Sequence, residues 1–321
     1  MTVPAPTPWR LAAVGVHVLD THVIGVTGIP EGSDGALVDT IRLSPAGTAG
    51  GTAMIAARLG AQVRSLGAVG TDAAGDTLLA LLVREGVDVA GIVRLPEQPT
   101  SASVLPVRPN GDRPAWHCVG ANGAFTLDHV ADVDWTGFDA VHLGGPEFLG
   151  GPAAGELLAA ARAAGAVTSI DVLAPGDPDL LAWIADALPH CDYLLPNDEQ
   201  VRGFTGEDDL AAGARALVAA GAGCVAVTAG ARGALVVTSA DPADPDGCVA
   251  VPALPIPAEE LVDTTGCGDA FSAGFLRGIG LGLGPVDAAR LGCATAAQVA
   301  RGLGTDAGTY DLDLVRSTAG L

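Results

Sequence analysis

The 321-residue chain contains no lysine, and all sixteen of its basic residues are arginine. That absence excludes a phosphate-binding loop built on a lysine, the strand lysine of protein kinases and a lysine Schiff base. Any phosphate chemistry here falls to backbone amides, metal ions or arginine. Positive charge as a whole is scarce: 37 acidic residues leave a formal net charge of −21. Extended nucleic-acid surfaces need clustered basic side chains to neutralise phosphates, so no nucleic-acid partner is expected. A small anionic nucleotide can still bind locally.

Long apolar runs are missing as well. Hydrophobic residues make up 49% of the chain, but they come in short stretches broken by Gly, Pro and Asp. None approaches the roughly 18 uninterrupted positions of a membrane-spanning helix. Met1 to Arg10 carries three prolines and an arginine, without the charged start, apolar stretch and cleavage site of an export signal. The expectation is a soluble, cytoplasmic protein with no membrane partner. The six cysteines, Cys118, Cys191, Cys224, Cys248, Cys267 and Cys293, form no C-x-x-C pair and no cluster with histidine, which points to reduced thiols. His17 and His22 are five apart, fitting neither helical pairing nor a zinc signature, and no metal is assigned to them.

What is present is an alternation. Short β-rich runs (Leu11–Val16, Val63–Val69, Ala140–Gly144, Ala166–Val172, Tyr193–Leu195, Cys224–Thr228 and Ala234–Thr238) are separated by Ala/Leu-rich stretches of helical length. The helical stretches lie near Gly50–Leu59, Ala74–Glu85, Ala153–Ala164, Pro178–Leu188, Asp208–Ala220, Asp269–Gly278 and Val286–Ala300. Strands joined by such crossovers predict an α/β fold with a mostly parallel sheet between helices. Residues 17–48 and 96–120 break the rhythm, with β-branched residues, prolines and Gly-Asp turns but no helical period. They exceed ordinary connections in length and are expected to form a small β-rich lid, on a core of 1–16, 49–95 and 121–321.

The segment richest in chemistry is Leu261-Val262-Asp263-Thr264-Thr265-Gly266-Cys267-Gly268-Asp269-Ala270-Phe271. A Gly-x-Gly turn opening a helix lets successive N–H groups converge at the positive end of the helix dipole, forming an anion cradle that needs no lysine. Asp269 stands at its mouth. A carboxylate there can take a proton from an attacking hydroxyl, or can simply cap the helix, and both roles fit the residues.

The run Asp263 to Phe271 resembles the C-terminal signature D-T-T-G-A-G-D-x-F of the ribokinase-like, or PfkB, carbohydrate kinases, with Cys267 in place of the middle alanine. The resemblance implies a ribokinase-like fold and ATP-dependent, Mg²⁺-assisted phosphorylation of a hydroxyl. It makes Asp269 the catalytic base and the amides of Gly266, Cys267 and Gly268 the anion hole. The Cys267 thiol, near a helix start, is either reactive or a plain small residue. Val225 to Ala234 is similar to the family's V-T-x-G-x-x-G, which assigns Thr228, Gly230 and Gly233 to the nucleotide. Pro196-Asn197-Asp198-Glu199-Gln200 resembles its P-N-x-x-E, which orders magnesium through water. Here Gln200 stands at the glutamate position, so that role falls to Glu199 or to the Gln200 amide oxygen, and Asn197 serves the nucleotide. Cys293 and Ala297 occupy the place of the family's adenine site, where small residues equally suit helix packing. Asp263 and Thr265 match a site for a monovalent cation such as K⁺ in several members, against the alternative of a structural turn.

The acceptor end departs further from the pattern. Ala13 to Asp20 resembles the family's opening strand, which makes Asp20, expected just past the strand end, the principal acceptor of substrate hydroxyls. Ala46 to Gly60 resembles the G-G-N-x-A-N signature followed by A-R-L-G, yet both asparagines are gone; Gly47 and Gly51 hold places in that signature. Asn122, in the loop returning from the lid, either reaches the substrate or occupies a turn, and Arg113 and His117 hang from the lid segment. Asp171-Val172-Leu173-Ala174 lacks the Asn and Arg of the D-x-N-x-R pattern of fructokinase and ketodeoxygluconate-kinase relatives. The functions left standing are a sugar kinase, a nucleoside (adenosine-like) kinase, and a non-catalytic nucleotide- or sugar-binding regulatory protein of the same fold. An apolar lid face would need cover, and a homodimer through the lid would provide it.

Overall fold

The computed structural model describes residues 8–108, 114–173, 177–244 and 246–321; Arg113 and Ala174, named above, lie outside them. The described strands are β1 (Arg10–Gly15), β2 (Val18–Ile24), β3 (Thr40–Ala46), β4 (Gln62–Gly70), β5 (Asp88–Leu95), β6 (Ala102–Val107), β7 (Trp116–Cys118), β8 (Ala140–Gly144), β9 (Val167–Asp171), β10 (Tyr193–Leu194), β11 (Cys224–Thr228), β12 (Ala234–Val237) and β13 (Cys248–Val251). The helices are α1 (Gly50–Arg58), α2 (Ala73–Arg84), α3 (Gly151–Ala163), α4 (Pro178–Ile184), α5 (Asp198–Thr205), α6 (Leu210–Ala219), α7 (Cys267–Gly280), α8 (Pro285–Val299) and α9 (Leu312–Ala319).

Nine strands form one sheet in the order β13-β12-β11-β10-β9-β8-β1-β4-β5. It is parallel from β5 to β11 and closes with the antiparallel β12 and β13. Side chains alternate across a strand, and β1 shows the consequence. Leu11 and Ala13 pack on one face with α1, α2, α7, α8 and α9 through Met54, Ile55, Leu78, Leu82, Ala273, Leu291 and Val315. Ala12 and Val14 pack on the other with α3 to α6 through Leu158, Ile184, Val201 and Leu217. Each large aliphatic side chain buried this way contributes about 1.5–3 kcal/mol. The fold is that expected from the alternation, with four elements added that pattern alone did not mark: edge strands β5 and β13, and the short helices α5 and α9.

Four strands build a second sheet in the order β3-β2-β6-β7. Its central pair, β2 and β6, is parallel, and both outer pairs are antiparallel. This small sheet grows directly out of the large one, because only two residues separate the end of β1 at Gly15 from the start of β2 at Val18. The carboxyl ends of β1, β8 and β9 lie level, with Gly15 in register with Gly144 and Gly144 with Asp171. The region between those ends and the small sheet is where α/β folds place their ligands.

Candidate active site

Helix α7 starts at a left-handed residue, Gly266 (φ +78°), with no side chain capping it. A Cβ at Gly266 would lie 2.6 Å from Thr305 Oγ1 and 2.7 Å from Thr305 Cα, so this turn accepts only glycine. Helix starts leave N–H groups unpaired, and those of Gly268 and Asp269 have no partner among the described residues. The Cys267 N–H, expected among the anion-hole donors, instead donates to Thr264 O at 3.2 Å and tightens the turn. A Cβ on Gly268 would meet no atom of the described residues within 4 Å beyond its own turn of helix. Unpaired donors, a positive helix end and open space therefore coincide at one point.

The Asp269 carboxylate packs against α1. A Cβ at Gly51 would sit 2.8 Å from Asp269 Cγ and closer still to Oδ2, so the missing side chain at 51 is the space the carboxylate occupies. Thr52 Oγ1 approaches Asp269 O at 3.5 Å. Burial pushes the Asp269 carboxyl well above the usual range, and the negative fields of Asp171 and Asp20 push it further. Asp171, at the end of β9, is itself raised to about 7. Its burial is the main cause, Ser272 Oγ opposes it by donating to Oδ2 at 3.1 Å, and Glu147 adds to it. Ser272 follows Asp269 by three positions on α7, so one helix face carries the base candidate and the residue that holds its neighbouring carboxyl. Asp20 corrects the expectation of a residue beyond a strand end: it lies inside β2, opposite Ser44 and Ser103, and is 6% exposed.

On the other side of the α7 start lies a cavity of about 540 Å³. The structure brings together there Thr228, Gly230 and Gly233 from the β11–β12 turn, Cys267 and Gly268 from α7, and Cys293 and Ala297 from α8. Leu254, Pro255, Ile256 and Phe271, which sequence reasoning missed, supply apolar walls. The cavity suits a flat apolar ring with a charged tail aimed at the helix start. Cys267 Sγ donates to Ala296 O at 3.6 Å, and burial pushes the Cys293 thiol up to about 11.

Other candidates are committed to local structure. Asn197 caps α5: its Oδ1 accepts from Gln200 N (2.8 Å) while Gln200 Oε1 accepts from Asn197 N (2.9 Å). Gln200 Nε2 donates to Val172 O at 2.9 Å. The amide oxygen that the sequence offered to a metal-bound water thus accepts one bond in a capping box. Glu199 is exposed at the same helix start, and Asn197 also bridges to Thr228 at the cavity wall. Asp263 Oδ1 accepts from Thr265 N (3.0 Å) and Oγ1 (2.9 Å), and Oδ2 accepts from Gly304 N (3.0 Å), which is the arrangement of a turn. Among the described residues no three His, Cys, Asp or Glu side chains group as a metal site.

Asn122 is 3% exposed and clasps the backbone of His17: Nδ2 donates to His17 O (3.0 Å) and Oδ1 accepts from His17 N (3.2 Å). It anchors the junction of the two sheets. Gly47 passes over Val16, where a Cβ would lie 2.5 Å from the carbonyl oxygen. His17 donates through Nδ1–H to Gly15 O (2.8 Å), and burial lowers its pKa to about 4, so it stays neutral. His117 Nδ1 lies 3.0 Å from Ser103 Oγ.

No described helix is long and apolar enough to cross a membrane. The chain is 26% identical over 307 residues to a nucleoside kinase of Methanothermobacter thermautotrophicus, covering 94% of this chain and 92% of that one. Its fold is that of a ribokinase from Thermotoga maritima, with a TM-score of 0.76 at 20% identity over 98% of this chain and 100% of that one. It is likewise similar to the ribokinase of Arabidopsis thaliana solved with ribose and ATP, with a TM-score of 0.76 at 20% identity over 98% and 99% of the two chains. The sequence pattern of the pfkB family carbohydrate kinases matches residues 13–311, and with α7, its cradle and the two-sheet frame on one side of it, the chain belongs to that family.

Proposed function

We propose that this protein transfers the γ-phosphoryl group of ATP to a hydroxyl of a sugar or nucleoside. One observation carries the proposal: a single helix start lines the nucleotide-sized cavity with Cys267 and Gly268 and places Asp269 among Asp20 and Asp171 on the other side. In the reaction the acceptor oxygen attacks the γ-phosphorus, its proton passes to Asp269, and the bond to the β-phosphate oxygen breaks to release ADP. The N–H groups of Gly268 and Asp269 face the charge that builds on the moving group. Asp20 and Asp171 favour an acceptor rich in hydroxyls, since an ionised carboxyl accepts from a hydroxyl and a protonated one can also donate to it. Mg²⁺ would draw most of its oxygen ligands from the phosphates and water, and the exposed Glu199 carboxylate is the residue suited to ordering that water. Asp263 and Thr265 remain the proposed neighbours of a K⁺ ion, at a turn that already binds three donors.

A panel of neutral sugars and nucleosides, with ADP release followed for each, tests the reading. Turnover with at least one acceptor well above the acceptor-free baseline is expected. Release that no acceptor raises would overturn it. Relatives of both kinds leave the choice between sugar and nucleoside to this panel.

We further propose that residues 17–48 and 96–120 act as a lid on the core and that its outer face pairs with a second copy of the chain. Leu43, Thr21, Val104 and Trp116 lie side by side across all four strands of the small sheet. Leu43, Val104 and Trp116 in that row, and Ile41 beside it, are exposed. An apolar row of this kind is self-complementary about a two-fold axis. Light scattering at micromolar concentration should give twice the chain mass, and Trp116→Glu should halve it. A wild-type monomer at that concentration rules the dimer out.

A further inference from the structure

The turn at 303–306 is held between the small sheet and the start of α7. From the small sheet, Arg42 on β3 donates through NH1 to Leu303 O, and its NH2 pairs with Asp306 Oδ1 at 2.8 Å. Asp306 has a side chain 4% exposed, and Arg84 stands 3.8 Å from its other oxygen. Gly304 (φ +78°) passes directly beneath the sheet: a Cβ there would lie 2.9 Å from His22 Nε2, 3.0 Å from Ser44 Oγ and 3.1 Å from Arg42 NH1. On its far side the same turn touches the segment leading into α7 twice. Gly304 N donates to Asp263 Oδ2, and Thr305 lies against Gly266, the residue that opens α7. From below, Arg58 of α1 donates to the carbonyls of Asp306 (2.9 Å) and Ala307 (3.2 Å).

We propose that Arg42 is a positioning residue for the anion hole: a guanidinium on the small sheet seats the 303–306 turn, and that turn sets where the N–H groups of Gly268 and Asp269 stand. Arginine suits the task because its planar fork reaches a carbonyl and a carboxylate at once, whereas a lysine ammonium on one stem does not hold both in a fixed plane. The buried Asp306 charge favours the contact, since a carboxylate in that position needs a cation and Arg42 stands nearer to it than Arg84 does. The small sheet is thereby tied to the phosphate end of the site as well as to the acceptor end that Asp20 serves.

The kinetic side of this inference rests on the phosphotransferase reading, but its structural side is read without turnover. Amide hydrogen exchange is compared between wild type and Arg42→Ala over peptides covering 300–306, 262–271 and, as reference, β8 and β9. Exchange should quicken by about tenfold or more in both of the first two and stay unchanged in the reference. Quickening confined to 300–306 overturns the proposal whether or not the protein turns over ATP. With a responsive acceptor, Arg42→Ala should lower kcat by ~10–100-fold through misplaced donors, with ATP affinity nearly kept and methylguanidinium restoring part of the loss. Arg42→Lys should fall between the two. An unchanged kcat, or equal losses in kcat and ATP affinity without rescue, also overturns it. Where Arg42→Ala does not fold, Asp306→Asn removes the charge partner alone and is read by the same exchange comparison.

Discussion

Asp269→Asn should lower kcat by about 10²–10⁴-fold, because the amide keeps the shape of the carboxylate but takes no proton. ATP affinity should stay close to wild type, since the nucleotide cavity is lined by Cys267 and Gly268 rather than by the Asp269 side chain. Steady-state ADP release and a calorimetric ATP titration measure the two effects separately. A variant retaining about a tenth or more of wild-type turnover would remove Asp269 from the role of base. The same carboxyl predicts a pH profile. A base works only when ionised, and burial, then Asp171, then Asp20 hold the Asp269 proton on to unusually high pH. Activity should therefore fall, as pH is lowered, well above the range of an ordinary aspartate. Asp171→Asn removes one of the opposing charges and should move that limb toward acid; because the groups are coupled, the limb belongs to the cluster rather than to one residue. A limb that stays put or moves toward alkali contradicts the arrangement.

Gly51→Ala carries the second large effect. Its methyl would stand 2.8 Å from Asp269 Cγ and nearer to Oδ2, so either the carboxylate swings away or α1 shifts. Overpacking of this kind costs about 1–3 kcal/mol of stability, and moving a reacting group by ~1 Å costs about 10²-fold in rate. The expected result is a kcat reduced by ~10–100-fold together with a lowered Tm. The double variant Gly51→Ala/Asp269→Asn separates causes, since a methyl acting through the base adds nothing once the base is gone. A double variant much slower than Asp269→Asn alone would show that Gly51 acts elsewhere.

The position of Gly51 also shows where sequence pattern stopped being informative. Set against the family signature it reads as a lost asparagine, an absence on the acceptor side. In space it is the gap that admits Asp269, a residue more than two hundred positions later. Asp171 was visible only as the remnant of an incomplete motif, and its neighbourhood with Asp269 depends on the level ends of β8 and β9. Gln200 shows a local role that was legible and went unread. Asn197 and Gln200 stand three apart, a spacing that is itself a capping-box signature, and the structure uses it as one; the metal-ordering alternative drew attention away from the helix that begins there. Strand β5 and helix α9 were missed for a simpler reason, because edge strands and short terminal helices bury too little of one face to leave a clear period.

By itself the sequence determined much of what depends on neighbours along the chain. Strand alternation and helix-length runs specified the layered α/β frame, a Gly-x-Gly-Asp turn specified a helix start, and the lack of lysine left any phosphate chemistry to backbone amides, metal ions or arginine. The tertiary structure decided what meets across space: the grouping of Asp20, Asp171 and Asp269, the burial that raises the protonation range of Asp171 and Asp269, the turning of the Cys267 amide into the Thr264 turn, and the seat of 303–306 between Arg42 and Gly266. The physical reason is that hydrogen bonding and side-chain period are local properties of the backbone. Desolvation and through-space charge depend on how crossovers and strand register bring distant segments within a few ångströms of one another.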